Sequence, residues 1–355
     1  MKKHHLLLII FLLPIIASST SGCTSVDDKT RLLSFGNEGV YIPKNPYLFI
    51  PGLGFTGKFW TKSKAFDVLK KDGWIFGGDI QIIRDQEMIK IKPGNYKPGT
   101  FYTITFSGTQ LAIIQQGREL AIAIDFIQNL NHADKIVLIG HSMGGLAARE
   151  YLQSDYYGND VTAYMSIGTP HLGSNFELKK PILRLVPKFI QNRFWYVDEK
   201  SDAVRDLRTN SIYLNGGWEK DSPGNYRSKD INENGTTTDY IVGLNQLDKR
   251  PLPHDTFYVS VIGGGNALIS TLRQARNSDG IVDIDSQDLN EVPKVNVLSF
   301  VIVSPSDHFG EANDTLIFMQ AARLRQYMQR LAKNAHLTPQ SLNAISPQVE
   351  DEAPF

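Results

Sequence analysis

A serine hydroxyl becomes a nucleophile only when something removes its proton, and Ser142 sits where such a serine belongs. It lies in Gly140-His141-Ser142-Met143-Gly144-Gly145, after the apolar run Ile136 to Ile139 and before a helix-forming segment, Gly144 to Gln153. G-x-S-x-G alone is a weak signal. Flanked by a strand and a helix it describes a strained turn that lifts the hydroxyl above a sheet edge. Glycines at 140 and 144 remove side chains that would collide where strand and helix meet, with Gly145 extending the clearance. The helix start also turns its amides toward Ser142 and favours negative charge developing there. The bland alternative is a serine in a tight connection without chemistry.

Such a serine needs a histidine base, and the histidine needs an acid. The chain holds eight histidines. His4 and His5 fall in the N-terminal leader, His132 precedes the strand before Ser142, His254 lies in an irregular insertion, and His336 is in the late tail. His141 adjoins Ser142 and reads as a packing or structural residue. His171, in Gly168-Thr169-Pro170-His171-Leu172-Gly173, reads as structural, with a site-lining role as the alternative. His308 is different: it follows the apolar strand Val297 to Val303 by Ser304-Pro305-Ser306-Asp307, at the strand end where open parallel sheets gather ligands. The acid expected between serine and histidine in chain order is Asp279, whose following Gly280 permits a sharp inward turn. Asp283, Asp285 and Asp288 compete, but their spacing reads as a solvated acidic loop.

Elements that could hold these groups recur along the chain. Tyr47 to Ile50 is a short, continuously apolar strand suited to a sheet buried on both faces, and it runs into the glycine-rich Pro51 to Gly57. A helix is expected around Ala65 to Lys71, with strands at Asp79 to Ile83 and Phe101 to Phe106. In Gln110 to Leu130 the spacing of Leu111, Ile114, Leu120, Ile124 and Ile127 predicts one apolar helix face. Further strands are expected at Ala163 to Ile167 and Phe257 to Ile262. Strands alternating with helices predict an α/β domain with a mostly parallel central sheet, helices on both faces, and an insertion at about 175–255. That insertion begins with Ile182, Leu183, Leu185, Val186, Phe189, Ile190, Phe194, Trp195 and Tyr196 among basic residues, and Gly216 to Gly235 is loop-like. A lid over the site and a cap that merely packs on the sheet are both open readings.

The stretches FIPGLGFTG, VLIGHSMGGLAAREY, SIGTPHLGS, SDGIV and DHF resemble the α/β-hydrolase lipases and esterases of bacteria, over about Tyr47 to Met328. The resemblance implies that Ser142 is the nucleophile, Asp279 the acid and His308 the base, with the N–H groups of Leu53 and Met143 as oxyanion hole. It implies cleavage of a carboxylic ester, with lipid esters as the expected substrate, through an acyl-enzyme. Two departures accompany it. Pro51-Gly52 stands where many of these lipases have His-Gly; Pro-Gly is also seen in lecithin:cholesterol acyltransferase relatives and in glycosylphosphatidylinositol deacylase-like proteins. Gly310 stands where calcium-bearing lipases of the family often carry a carboxylate, so no metal and no other cofactor is expected. Acyl transfer to an alcohol is the enzymatic alternative. A lipid-binding or adhesion protein on a degenerate hydrolase fold is the non-enzymatic one.

Composition narrows the partners. Among 355 residues, 37 basic side chains balance 37 acidic ones, with no basic tail, so nothing points to nucleic acid. The N-terminus reads as a signal peptide: Met1-Lys2-Lys3, then 11 residues from Leu6 to Ile16, then small residues. That run is shorter than the roughly 18 apolar residues of a spanning helix. Cys23 is the one cysteine, so no intramolecular disulfide can form. Ser21-Gly22-Cys23 resembles the lipobox of bacterial lipoproteins, with Thr20 where that family usually has Leu. The resemblance implies a signal over 1–22, an acylated Cys23 and a membrane-anchored place in a bacterial envelope; a tether over 23–40, the α/β-hydrolase domain over 41–335 and a tail over 336–355 are expected after it. Ordinary cleavage near Ser19 or Gly22 is the alternative.

Overall fold

Tyr47–Ile50 forms the first strand, β1, and all four of its residues are buried. Alternate side chains feed opposite layers: Tyr47 and Phe49 join Trp60, Phe66 and Phe101 on one face, while Leu48 and Ile50 join Ile80, Leu120 and Ile124 on the other. A strand covered on both sides explains why no polar alternation shows in its sequence. The computed structural model describes residues 45–71, 73–86, 88–175, 197–222, 230–264, 278–304 and 306–313. The expected signal segment, Cys23, the tether, the aromatic stretch 182–196 and the tail 336–355 lie outside these residues.

After β1 come α1 (Lys58–Thr61), α2 (Lys64–Lys71), β2 (Phe76–Asp85), β3 (Met88–Ile91), β4 (Phe101–Thr105) and α3 (Ile113–Asn131). Then follow β5 (Ile136–His141), α4 (Met143–Leu152), β6 (Val161–Ile167), α5 (Asp202–Leu207), α6 (Ile212–Asn215), β7 (Gly217–Trp218) and β8 (Tyr240–Ile241). β9 (Phe257–Gly263), α7 (Ile284–Gln287) and β10 (Ser299–Ser304) close the described series. Eight strands form one sheet in the order β10-β9-β6-β5-β1-β4-β2-β3. Every pairing in it is parallel except β2 with β3, an antiparallel edge the sequence reading did not anticipate. β3 alternates exposed and half-buried residues, a weaker signal than the solid apolar runs at the centre, while β2 still buries Ile80 and Ile82.

Helix α3 puts Leu120, Ala123, Ile124 and Ile127 into the core, each aliphatic side chain among them contributing about 1.5–3 kcal/mol. It ends at His132, whose left-handed backbone (φ 51°) lets Ala133 N–H reach the Gln128 carbonyl at 3.0 Å. The described part of the insertion packs rather than floats. Val204, Leu207, Ile212, Leu214 and Leu244 share a second core with Leu53, Ile113, Met143 and Leu146. Among the described residues no helix is long and apolar enough to cross a membrane.

Candidate active site

β5 delivers Ser142 at its carboxyl end. The residue adopts φ 54° and ψ −128°, a conformation that costs an L-residue of order 1–3 kcal/mol and persists only where its surroundings enforce it. The enforcement is visible. Ser142 N–H is bonded to the Ile167 carbonyl of β6 at 2.8 Å, and α4 begins at the next residue. A methyl group added at Gly140 would lie 2.5 Å from Gly145 Cα, and one at Gly144 would lie 2.6 Å from the carbonyl oxygens of Ile50 and Pro51. At Gly52 it would come within 2.8 Å of Ser142 Cβ, so the first glycine-rich loop passes directly over the serine. Ser142 occupies the cap position of α4 without capping it, which leaves its oxygen facing the cleft.

The other two predicted residues meet beside it. His308 Nδ1–H donates to Asp279 Oδ2 at 2.6 Å, both groups buried. Asp279 Oδ1 accepts the N–H groups of Ile281 and Val282 at 2.8 and 2.7 Å, and His308 N–H donates to the Asp279 carbonyl at 3.1 Å. The turn after Asp279 passes through Gly280 at φ 100°, a conformation that favours glycine. Ser142 and His308 line one cleft, of about 410 Å³ including space open to solvent, with Leu53, Phe55, Pro170, Leu207, Ile281, Val282 and Phe309. Ser142 Oγ makes no hydrogen bond among the described residues, and bonds of this kind commonly tighten only in the presence of substrate. The N–H groups of Leu53 and Met143 likewise have no acceptor among the described residues and remain available to an oxyanion.

His141, expected to be structural, braces His308. Its Nε2–H donates to the His308 carbonyl at 2.7 Å, and its ring stacks on Phe59 at 4.9 Å. Burial, reinforced by His308, pushes its pKa down to about 3, so the imidazole is neutral at pH 7 and Nδ1 carries no proton. His171 is also structural: Arg149 donates to its Nδ1 at 3.4 Å, and Nε2–H donates to Ser166 Oγ at 3.1 Å. Asp288 corrects the reading of a wholly solvated acidic loop. It is buried and accepts Asn290 N–H at 2.9 Å, whereas Asp283 and Asp285 are exposed.

Three functional supports escaped the sequence reading. Arg149, fully buried on α4, bonds the Leu244 carbonyl (2.9 Å) and Asn245 (3.1 Å), and burial lowers its pKa to about 10. Asp206 of α5 accepts the first N–H of α3, Ile113, at 2.9 Å, so both residues tie the insertion to the core. Neither looks unlike a surface charge in sequence. The third is Glu311, fully buried close to Asp279 and His308. His141, His308 and Glu311 offer nitrogen and oxygen atoms within 4.8 Å of one another, the composition of a small metal site. However, His308 Nδ1 is committed to Asp279, and His141 Nε2 to a carbonyl.

A strained serine at a strand end, an Asp–His pair and free amides on one cleft of a mostly parallel sheet narrow the field of families. Residues 44–222, half of the chain, match the family described as the PGAP1-like alpha/beta domain. The chain belongs to that family. Its PGAP1-like domain has the α/β-hydrolase fold, as expected from the sequence. It superposes on the mature lipase BlEst2 of Bacillus licheniformis with a TM-score of 0.50 at 17% identity, covering 81% of this chain and 94% of that one. The propeptide form of the same lipase gives 0.50 at 17% identity, over 79% of this chain and 50% of that one. GPI inositol-deacylase A of Yarrowia lipolytica is 30% identical over 109 residues, which is 28% of this chain and 10% of that protein. The PGAP1-like chain thus spans about a tenth of the length of the deacylase it resembles.

Proposed function

We propose that the protein is a serine hydrolase of carboxylic esters, with lipid esters as its substrates. The observation that carries this reading is the 2.6 Å Asp279–His308 bond on the cleft that Ser142 lines. His308 Nε2 takes the Ser142 proton as Oγ attacks the ester carbonyl. The tetrahedral oxyanion receives the N–H groups of Leu53 and Met143, and His308 then protonates the leaving alcohol. Water, deprotonated by the same imidazole, releases the acyl group. Asp279 fixes the imidazole tautomer, because only Nδ1–H can face its carboxylate. Each oxyanion donor contributes about 3 kcal/mol to lowering the barrier. The cleft wall of Leu53, Phe55, Leu207, Ile281 and Phe309 suits an acyl chain, and the likeness to an inositol deacylase makes an acyl ester on an inositol lipid a natural member of the test panel.

An acylated Cys23 would hold this site at a bacterial envelope membrane, where such substrates reside. Fluorophosphonate labelling followed by a panel of esters of graded chain length tests the activity. Labelling of Ser142 and release of free acid is the expected result. New esters in the products would instead identify acyl transfer, and a folded protein that neither labels nor turns over any ester would favour a binding protein. Palmitate incorporation lost in Cys23→Ser is the expected outcome for the anchor.

A further inference from the structure

Glu311 has no role in the mechanism just described, and its setting is unusual. The side chain is completely buried; no side chain of the described residues donates to its carboxyl, and the backbone donor beside it, Gly263 N–H, is already bonded to Gln287 Oε1 at 2.8 Å. The charges that act on it most are those of Asp279 and Asp307, both negative, and the rings of His141 and His308 face the same cluster. The backbone is built around this carboxyl. A methyl group at Gly168, or one at Gly263, would overlap its oxygens, and the one at Gly263 would also lie 3.0 Å from Asp279 Cβ. β9 therefore ends in glycine, and β6 is followed by one, where the acid must fit beside Asp279.

A carboxylate in that cradle would face a second negative group with, among the described residues, no donor beside it but a backbone N–H already engaged elsewhere, a combination that strongly disfavours ionisation. A carboxylic acid has no such difficulty: its hydroxyl can turn to Asp279, which crowds the same space at Gly263. We propose that Glu311 is a positioning residue, a neutral acid that donates its proton in a hydrogen bond to Asp279 and so fixes the carboxylate that orients His308. The bond adds to those from Ile281 and Val282 and gives the Asp279 carboxyl group donors from two directions as well as His308 Nδ1–H. Burial first, then the charges of Asp279 and Asp307, hold the Glu311 carboxyl well above the usual carboxylate range, in keeping with this assignment. By drawing charge from Asp279, the bond also limits how far the carboxylate stabilises the imidazolium of His308.

This inference rests on the ester-hydrolase reading for its kinetic consequences but not for the proton itself, so the test has two readouts. Infrared difference spectra of the wild type against Glu311→Gln at neutral pH are expected to show a protonated carboxylic C=O band that the variant lacks. Its absence would overturn the proposal whether or not the protein has activity. Kinetically, Glu311→Gln keeps a neutral donor of the same shape and is expected to retain kcat within about three-fold. Glu311→Leu, which fills the cradle without a donor, should lose about ten-fold in kcat with KM little changed, and the acid limb of its kcat/KM profile should move to higher pH. A Leu variant with wild-type kcat and acid limb, or a Gln variant as impaired as Leu, would overturn the positioning role. Should Glu311→Leu not fold, the infrared band and the Gln profile still decide. A wild type that is inert toward every ester while showing the band would defeat the hydrolase reading alone.

Discussion

The elbow around Ser142 and the Asp279–His308 pair solve the same placement problem by opposite means. The elbow is six consecutive residues, and its geometry comes from backbone strain held by neighbouring strands and by glycines that nothing larger can replace. The pair comes from segments 29 residues apart, each in an ordinary turn, and its geometry comes from hydrogen bonds between buried groups. Strain is stored where one residue must be aimed. Burial and charge are used where a proton must be moved. The elbow should therefore respond to volume, and the pair to pH and to donor count.

The largest expected effect breaks both at once. Ser142→Ala should lower kcat by about 10⁶-fold with the fold intact, measured as ester turnover and loss of fluorophosphonate labelling. Ser142→Gly should be equally inactive yet more stable by about 1 kcal/mol, because glycine tolerates the positive φ, and a melting comparison checks this. Next, Asp279→Asn should cost about 10⁴-fold in kcat while leaving stability nearly unchanged, since the amide oxygen still accepts the N–H groups of Ile281 and Val282.

His141 sharpens the pH half of the comparison. Its folded pKa, about 3, lies below the ordinary histidine value of 6.5, so between these limits the unfolded chain binds more protons than the folded one. Its contribution is complete above that window and is lost as pH falls through it, on the order of a few kcal/mol in all. His141→Phe, which keeps the stacking on Phe59, should flatten that acid slope in denaturant titrations; an unchanged slope would place the acid sensitivity elsewhere, His171 being the next buried imidazole. The smallest effect is steric. Gly144→Ala should destabilise by about 1–3 kcal/mol with KM affected little in the surviving folded fraction, as measured by chemical denaturation.

How much was legible follows from the same contrast. Ser142 stood out because strain, glycine spacing and the strand-to-helix transition all fall within one short window. Asp279 and His308 could be named from chain order, a following glycine and a preceding strand, all local signals. Asp288 was misjudged because a carboxylate that caps a buried turn has the same neighbours in sequence as one in water. Arg149, Asp206 and Glu311 were missed for a related reason: their partners, Leu244 and Asn245, Ile113, and Asp279, lie tens of residues or more away in the chain. The antiparallel β3 edge went unseen because its half-exposed strand lacks a continuous apolar run.

The sequence by itself determined the alternation of buried strands and helices, the strained turn at Ser142 and the residues proposed as its partners, since each depends on periodicity, glycine or turn chemistry within a few residues. Only the tertiary structure decided which charges are buried, that His141 packs behind His308, and where Glu311 ends up. Burial and protonation are properties of what the fold packs around a group, and no local pattern of residues encodes them.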